Sequence, residues 1–286
     1  MSTVSLIGID LGATNVRVAL ILENKIDKIV SEPISNTEKA ESLIEQIKAM
    51  IASVINDDVK AIGIGVPSVV DVEKGIVYDV QNIPSWKEVH LKDILENEFA
   101  KPVFINNDAN CFALGEKYFG IAKGFKSVVG LILGTGFGSG LILNNTLYSG
   151  HNCGAGEVGM LPYKDSIFEH YCSGQFFEIH KKTTGTEVYN KAVAGDSKAL
   201  EMYNQFGTHL GNAIKAVMYA YDPEMIVLGG SVSNSYPFFK DNMSKAMEDF
   251  AYPNSIKNLK IKISELEQVA VLGAAALPLD HQFHNK

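Results

Sequence analysis

The sequence predicts an α/β protein made of two halves that share one plan, and three observations carry this. Apolar runs of strand length alternate with amphipathic helical stretches along the chain, the pattern of layered α/β folds. A polar turn containing glycine and threonine joins two apolar runs near the N-terminus, "DLGATN" (10–15), and again in mid-chain, "GTGFGSG" (134–140). Each half also has a helix followed by a strand that ends in a ligand-like loop, "VFINND" (103–108) in the first and "MIVLGG" (225–230) in the second. The halves agree in element order rather than in residue identity.

Taken in order, "LIGIDLGATNVRVALIL" reads as two strands joined by a tight hairpin, with a third run near "KIDKIVSEPI". "EKAESLIEQIKAMIASVI" spaces Leu43, Ile44, Ile47, Met50, Ile51 and Val54 at helical intervals, an amphipathic helix. "VKAIGIGVP" is a buried strand that stops at Pro67, whose missing N–H ends a ladder. "SVVDVEKGIVYDVQNIPSW" reads as loop, a helix is expected from about Leu91 to Ala100, and "PVFINND" is the next strand. "CFALGEKYFG" reads as a helix ending at Gly120. The second half repeats strand, turn, strand and a short third run in "SVVGLILGTGFGSGLILNNTLYSG". There "SKALEMYNQFGTHLGNAIKAVMYAYD" is a long helix leading into "MIVLGG". No stretch reads as a linker, so the halves are expected to pack together.

Bulk properties narrow the function. With 286 residues, 46% hydrophobic and 20% charged, the chain suits one large domain or two medium ones. A net charge of -8 and a pI near 5.4 speak against a nucleic-acid partner, which requires a basic surface. No apolar run is long enough to span a bilayer, and "MSTVSLIGID" lacks the basic start of a signal peptide. Cys111, Cys153 and Cys172 are never spaced as CxxC, which suits free thiols in a reducing cytoplasm. A soluble cytoplasmic protein without membrane partners is expected.

The two glycine turns point to phosphate. Glycine lets a backbone approach an anion closely, and consecutive N–H groups form a concavity for phosphate oxygens. Thr14 or Thr135 would add a hydroxyl donor, and Asp10 could hold Mg²⁺ directly or through water. Three other motifs fail. The dinucleotide fingerprint breaks at Ser139 or Leu141 and leads into a strand, Gly-Lys occurs nowhere, and neither HRD nor DFG is present. Two plain β-hairpins remain the simpler reading, but a third glycine turn after a strand, "VLGGSVS" (227–233), favours nucleotide.

"VFINNDANC" (103–111) poses a separate question, because a buried strand runs straight into amides, one carboxylate and then apolar helix formers. Asp108 reads as a helix N-cap, where Asp and Asn are preferred, or as a proton acceptor. The two roles are compatible, since a helix N-terminus keeps a carboxylate ionised.

"GIDLGATNVRVAL", "GIGVPSVVD", "NIPSW", "INNDANCFALGE", "LGTGFGSGLILNNTLYSG", "GAGEVG", "DPEMIVLGGSVS" and "VLGAAAL" together resemble the ROK family of bacterial sugar kinases, collinearly from about residue 6 to 277. The resemblance implies a two-domain actin-like ATPase (ribonuclease H-like) fold with an inter-domain cleft. It implies a small α/β domain over 1–117 plus 267–286 and a large one over 118–266. ATP with Mg²⁺ and a hexose would be the ligands, and a homodimer the expected assembly. Position by position, Asp108 matches the catalytic base, and Asn107, Glu157 and Glu169 match sugar ligands, with Ser68 beside them. Asp10, Gly12, Thr14 and Asn15 fall in the first phosphate motif, Gly134, Thr135, Gly136 and Gly138 in the second, and Gly229 and Gly230 in the adenosine loop. Family repressors carry a winged helix before the first hairpin; the hairpin at residue 6 favours kinase.

Departures from the family pattern cluster near the sugar. Met160 stands where many members have His, and "LPYKDSIFEHYCSG" replaces a cysteine-rich zinc run. Four N or S ligands are needed for such a site, so no structural zinc is expected. His151, Cys153, His170 and Cys172 match no zinc spacing, and packing by Ile167, Phe168 and Tyr171 is expected to order the loop instead. Ser68, Ser85 and Ala13 stand at positions where glycine is usual. Phosphorylation of glucose at its 6-hydroxyl is the leading expectation. N-acetylmannosamine, N-acetylglucosamine or fructose is the alternative sugar, and a non-catalytic sugar sensor the alternative class.

Overall fold

The N-terminal apolar runs form a meander of β1 (Ser5–Leu11), β2 (Asn15–Leu22) and β3 (Lys25–Pro33) in a computed structural model that describes residues 4–35, 39–80 and 82–284. α1 (Ala40–Val54) buries the six apolar residues spaced at helical intervals, and β4 (Val59–Val66) then runs parallel to β1. The stretch read as loop contains β5 (Val70–Asp71) and β6 (Ile76–Tyr78), which form a small antiparallel sheet with β7 (Glu88–Val89) just beyond it. Its strands are too short for periodicity to reveal, but Val70, Val77 and Val89 are buried in the main core. α2 (Leu91–Phe99) stops one residue earlier than expected, because Ala100 turns left-handed with φ 49°. β8 (Val103–Asn107) runs parallel to β4 and leads into α3 (Asp108–Tyr118), which ends before Gly120.

The second half repeats the hairpin as β9 (Val128–Leu133) and β10 (Phe137–Leu143), followed by β11 (Thr146–Leu147). A loop region holds β12 (Pro162–Tyr163), β13 (Ser166–Ile167) and α4 (Glu169–Cys172). Four helices and a strand follow as α5 (Gln175–Lys181), α6 (Gly185–Val193), α7 (Ser197–Tyr221), β14 (Met225–Gly229) and α8 (Tyr236–Met247). The chain continues through α9 (Pro253–Asn258) and β15 (Lys260–Ile263) to α10 (Val269–His284). The two five-stranded sheets have the orders β3-β2-β1-β4-β8 and β11-β10-β9-β14-β15. Each places its first strand centrally, its hairpin partner on one side and two later strands on the other. The shared plan read from element order therefore extends to sheet topology.

The chain forms two compact units: Met1–Gly124 with Gly140–Ala155 and Glu265–Lys286, and Phe125–Ser139 with Gly156–Ser264. In the first, α10 packs on β1 and β4 where Gly8 and Gly63 stand opposite each other. A Cβ at either position would overlap the carbonyl oxygen of Val271 or Ala274, so glycine is what lets the helix backbone rest on the sheet. Among the described residues, no helix is long and apolar enough to cross a membrane.

Candidate active site

At the β8–α3 corner of the first unit, Val103 and Ile105 anchor the strand in the core and Asn106 carries a buried amide. Its Oδ1 accepts from the N–H of Asn107 at 2.9 Å, from Nδ2 of Asn110 at 2.8 Å and from the Cys153 thiol at 3.2 Å. Its Nδ2 donates to Ser149 Oγ at 3.1 Å. Asn107, with extended backbone, is the N-cap of α3, and its Oδ1 accepts from Ala109 N at 2.8 Å. The cap reading of Asp108 is corrected accordingly: Asp108 is the first helical residue, although its Oδ1 also accepts from Ala109 N at 2.8 Å. The carboxylate is half-buried at the positive end of the helix, where a negative charge is stabilised. Asn107 Nδ2 donates to the Ser68 carbonyl at 3.4 Å, and the Ser68 hydroxyl donates to the Tyr78 carbonyl.

The first hairpin lies in the same unit. Antiparallel register sets Asp10 directly opposite Arg17, and the pair closes at 2.9 Å. Burial pushes the Asp10 carboxyl above its ordinary value, while Arg17 pulls it back down. Gly12 N donates to Asn15 O at 3.0 Å to close the turn, and exposed Thr14 accepts from Asn15 Nδ2 at 3.0 Å. Among the described residues no group of three or more His, Cys, Asp or Glu is placed to hold a metal. Asp10 is a single carboxylate, which fits a hydrated ion whose other ligands are phosphate oxygens.

In the second unit, Gly134 and Thr135 of the β9–β10 turn line a cavity of about 700 Å³, with Gln175, Thr184, Tyr203 and Ser235 among its other walls. Gly174 N donates to Gly134 O at 2.8 Å, tying the start of α5 to the turn. Gly229 ends β14, and Gly230, at φ 83°, turns the chain into Ser231–Ser235, a 3-10 segment that supplies part of the cavity wall. Gly136 and Gly138 flank Phe137, whose N–H donates to Glu169 Oε2 at 3.0 Å. The other oxygen of Glu169 accepts from Gln175 Nε2 at 3.0 Å. Glu157 is exposed, yet partial loss of hydration and then the nearby Glu169 carboxylate raise its carboxyl. Met160, three residues on, is 58% exposed.

Aromatic rings order the loop that follows. Tyr163 stacks on Phe168 at 4.3 Å, Tyr171 stacks on His180 at 4.4 Å, and His209 Nδ1 meets the Tyr163 hydroxyl at 3.1 Å. Phe168 and Tyr171 are buried, while Ile167 is half-buried in β13. His170 Nδ1 pairs with Ser166 Oγ at 2.6 Å, and Cys172 is fully buried.

Sequence reasoning missed Asn106, Asn110 and Cys153 as supports of the corner. An amide inside an apolar strand, with a second amide one helical turn later, was the available signal. The cavity walls from α5, α6 and α7 belong to no motif, and nothing local marks them.

The sequence profile of the ROK family matches residues 6–281. A glucokinase of Thermotoga maritima is 29% identical, over 97% of this chain and 98% of its own. An N-acetyl-D-glucosamine kinase of Photobacterium profundum is 32% identical, over 79% of this chain and 84% of its own. A ROK family glucokinase from Streptomyces griseus, solved in complex with glucose and AMPPNP, is similar with a TM-score of 0.78 at 25% identity, covering 97% of this chain and 99% of that one.

Proposed function

This chain belongs to the ROK family and has the α/β, two-domain, actin-like fold of that family's sugar kinases, and from this premise we propose that it phosphorylates a hexose with ATP, glucose at the 6-hydroxyl first among the candidates. The observation that carries the reading is the β8–α3 corner. Asp108 heads a helix, lies between Asn107 and Asn110, which both donate to Asn106 Oδ1, and is preceded by an Asn107 amide whose Nδ2 makes a long 3.4 Å bond to Ser68 O. The glycine turn opening on a nucleotide-sized cavity supports the donor side.

Asp108 would accept the proton of the acceptor hydroxyl, a contribution of about 10² to 10⁴ in rate for a placed base. Asn107 Nδ2 would donate to a sugar hydroxyl. Ser68 would offer only lone pairs, because its own proton goes to Tyr78 O. Glu157 and Glu169 would accept from ring hydroxyls and help to hold the nucleophile in reacting geometry. Hairpin N–H groups around Gly12 and Thr14, and around Gly134 to Gly138, would stabilise the phosphate oxygens. Asp10 would hold Mg²⁺, directly or through water, and the ion when bound would neutralise phosphate charge.

A second sugar is favoured by one observation. Met160 presents an exposed thioether at the position where the family resemblance implies an imidazole. Loss of a donor relaxes selection for the hydroxyl it would have bound, and an apolar group suits the methyl of an N-acetyl substituent. N-acetylglucosamine, N-acetylmannosamine and fructose therefore belong in the panel. The test is coupled ADP release over those sugars, with wild type and Asp108→Asn. The expected result is sugar-dependent turnover that falls at least a hundredfold in the variant, consistent with the loss of a general base. Near-normal turnover in Asp108→Asn would remove Asp108 as base, and ADP release from no sugar would favour a sensor. Light scattering reads the homodimer implied by the family resemblance.

A further inference from the structure

We propose that Glu169 guards the second glycine hairpin against nucleotide and yields it when sugar binds; the inference rests on the kinase reading above. Glu169 Oε2 accepts the N–H of Phe137 at 3.0 Å and lies 2.7 Å from where a Cβ on Gly136 would stand. The missing side chain at 136 is what admits the carboxylate to the turn. Glu169 Oε1 accepts from Gln175 Nε2 at 3.0 Å, and Gln175 lines the same cavity as Gly134 and Thr135. One oxygen is thus committed to a hairpin N–H and the other to a cavity-lining amide, although the family resemblance implies a sugar ligand at this position.

A hairpin N–H is the kind of donor that a phosphate oxygen takes. A carboxylate on that donor competes with phosphate, because both are anions seeking one proton. Gly174 N to Gly134 O, at 2.8 Å, is a neutral tie that holds the hairpin whether or not Glu169 stays on it. The hairpin therefore does not need the carboxylate for its shape. A sugar hydroxyl donating to Glu169 draws its charge away from Phe137 N, and the N–H becomes available to phosphate. Sugar and nucleotide then bind with positive coupling, and the hairpin resists nucleotide while no acceptor is present. The rival role is a latch, in which Glu169 stiffens the hairpin and helps nucleotide bind.

The two roles have opposite signs. AMPPNP binding is measured by calorimetry for wild type, Glu169→Gln and Glu169→Ala, without sugar and with the sugar that the panel identifies. The guard acts through the carboxylate's charge, which Gln lacks although its oxygen still accepts. Both variants are therefore predicted to bind AMPPNP more tightly than wild type without sugar, about fivefold or more, within the usual range of coupling between sites. It also predicts that added sugar tightens wild type alone. A latch predicts weaker binding by Glu169→Ala and unchanged binding by Glu169→Gln, whose amide oxygen can still accept from Phe137. Either of those results overturns the proposal. Thermal unfolding confirms that each variant is folded, and the near-isosteric Gln variant decides alone if the Ala variant is not. Absence of AMPPNP binding by wild type, with and without sugar, overturns the kinase reading itself, whereas wild-type binding with the latch pattern overturns only the inference.

Discussion

Asn106 ties together the residues on either side of Asp108, the proposed base, through one buried amide. One buried oxygen gathers three donors, from Asn107, Asn110 and Cys153, and the amide nitrogen reaches Ser149. Asn106→Ala leaves those groups short of partners in a buried site, at a typical cost of about 1–3 kcal/mol. Urea denaturation should show that loss, while turnover should fall more than sugar affinity if the proposed base is displaced. Asn107 and Asp108 were legible because strand, amide, carboxylate and helix are contiguous in "VFINNDANC". Asn106 was not, since its meaning depends on Ser149 and Cys153, 43 and 47 residues away.

Elements show the same division. The amphipathic period of α1 and the turn residues of both hairpins are local signals, and both produced the expected elements. The close seat of α10 on β1 and β4 is not local. Gly63→Ala should lower unfolding stability by about 1–3 kcal/mol, as overpacking does, with the loss visible in thermal melts. The ordering of the β12–α4 loop is also a tertiary matter. Its aromatic residues were readable, but their partners His180 and His209 arrive from α5 and α7. Burial first, then Lys164, His180 and Lys181, holds the His209 imidazole down at about 4, below its ordinary 6.5. The unfolded chain therefore takes up this proton at higher pH than the native one. The contribution is whole above about 6.5 and is lost as pH falls toward about 4. Stability measured against pH should drop through that window, and His209→Phe, which keeps a ring against Tyr163 and Tyr171, should make the drop shallower.

For the molecule as a whole, ligand binding should show as stability. AMPPNP at a hundred times its Kd should add about 2.7 kcal/mol to unfolding, by mass action. The same ligand should slow hydrogen exchange in α5, α6 and Ser231–Ser235, which carry cavity-lining residues; unchanged exchange there would place the nucleotide elsewhere. What the sequence determined by itself was the α/β class, the strand and helix order, the two glycine hairpins and the carboxylate at the β8–α3 corner. Each is encoded within a few neighbouring residues, by periodicity or by backbone freedom. What only the tertiary structure decided was the commitment of Glu169 to Phe137 and Gln175, the pairing of Asn106 with Ser149 and Cys153, and the cavity walled by Thr184, Tyr203 and Ser235. Those arrangements follow from pairing buried donors with acceptors supplied by distant segments, and no local pattern records which distant residue will meet that demand.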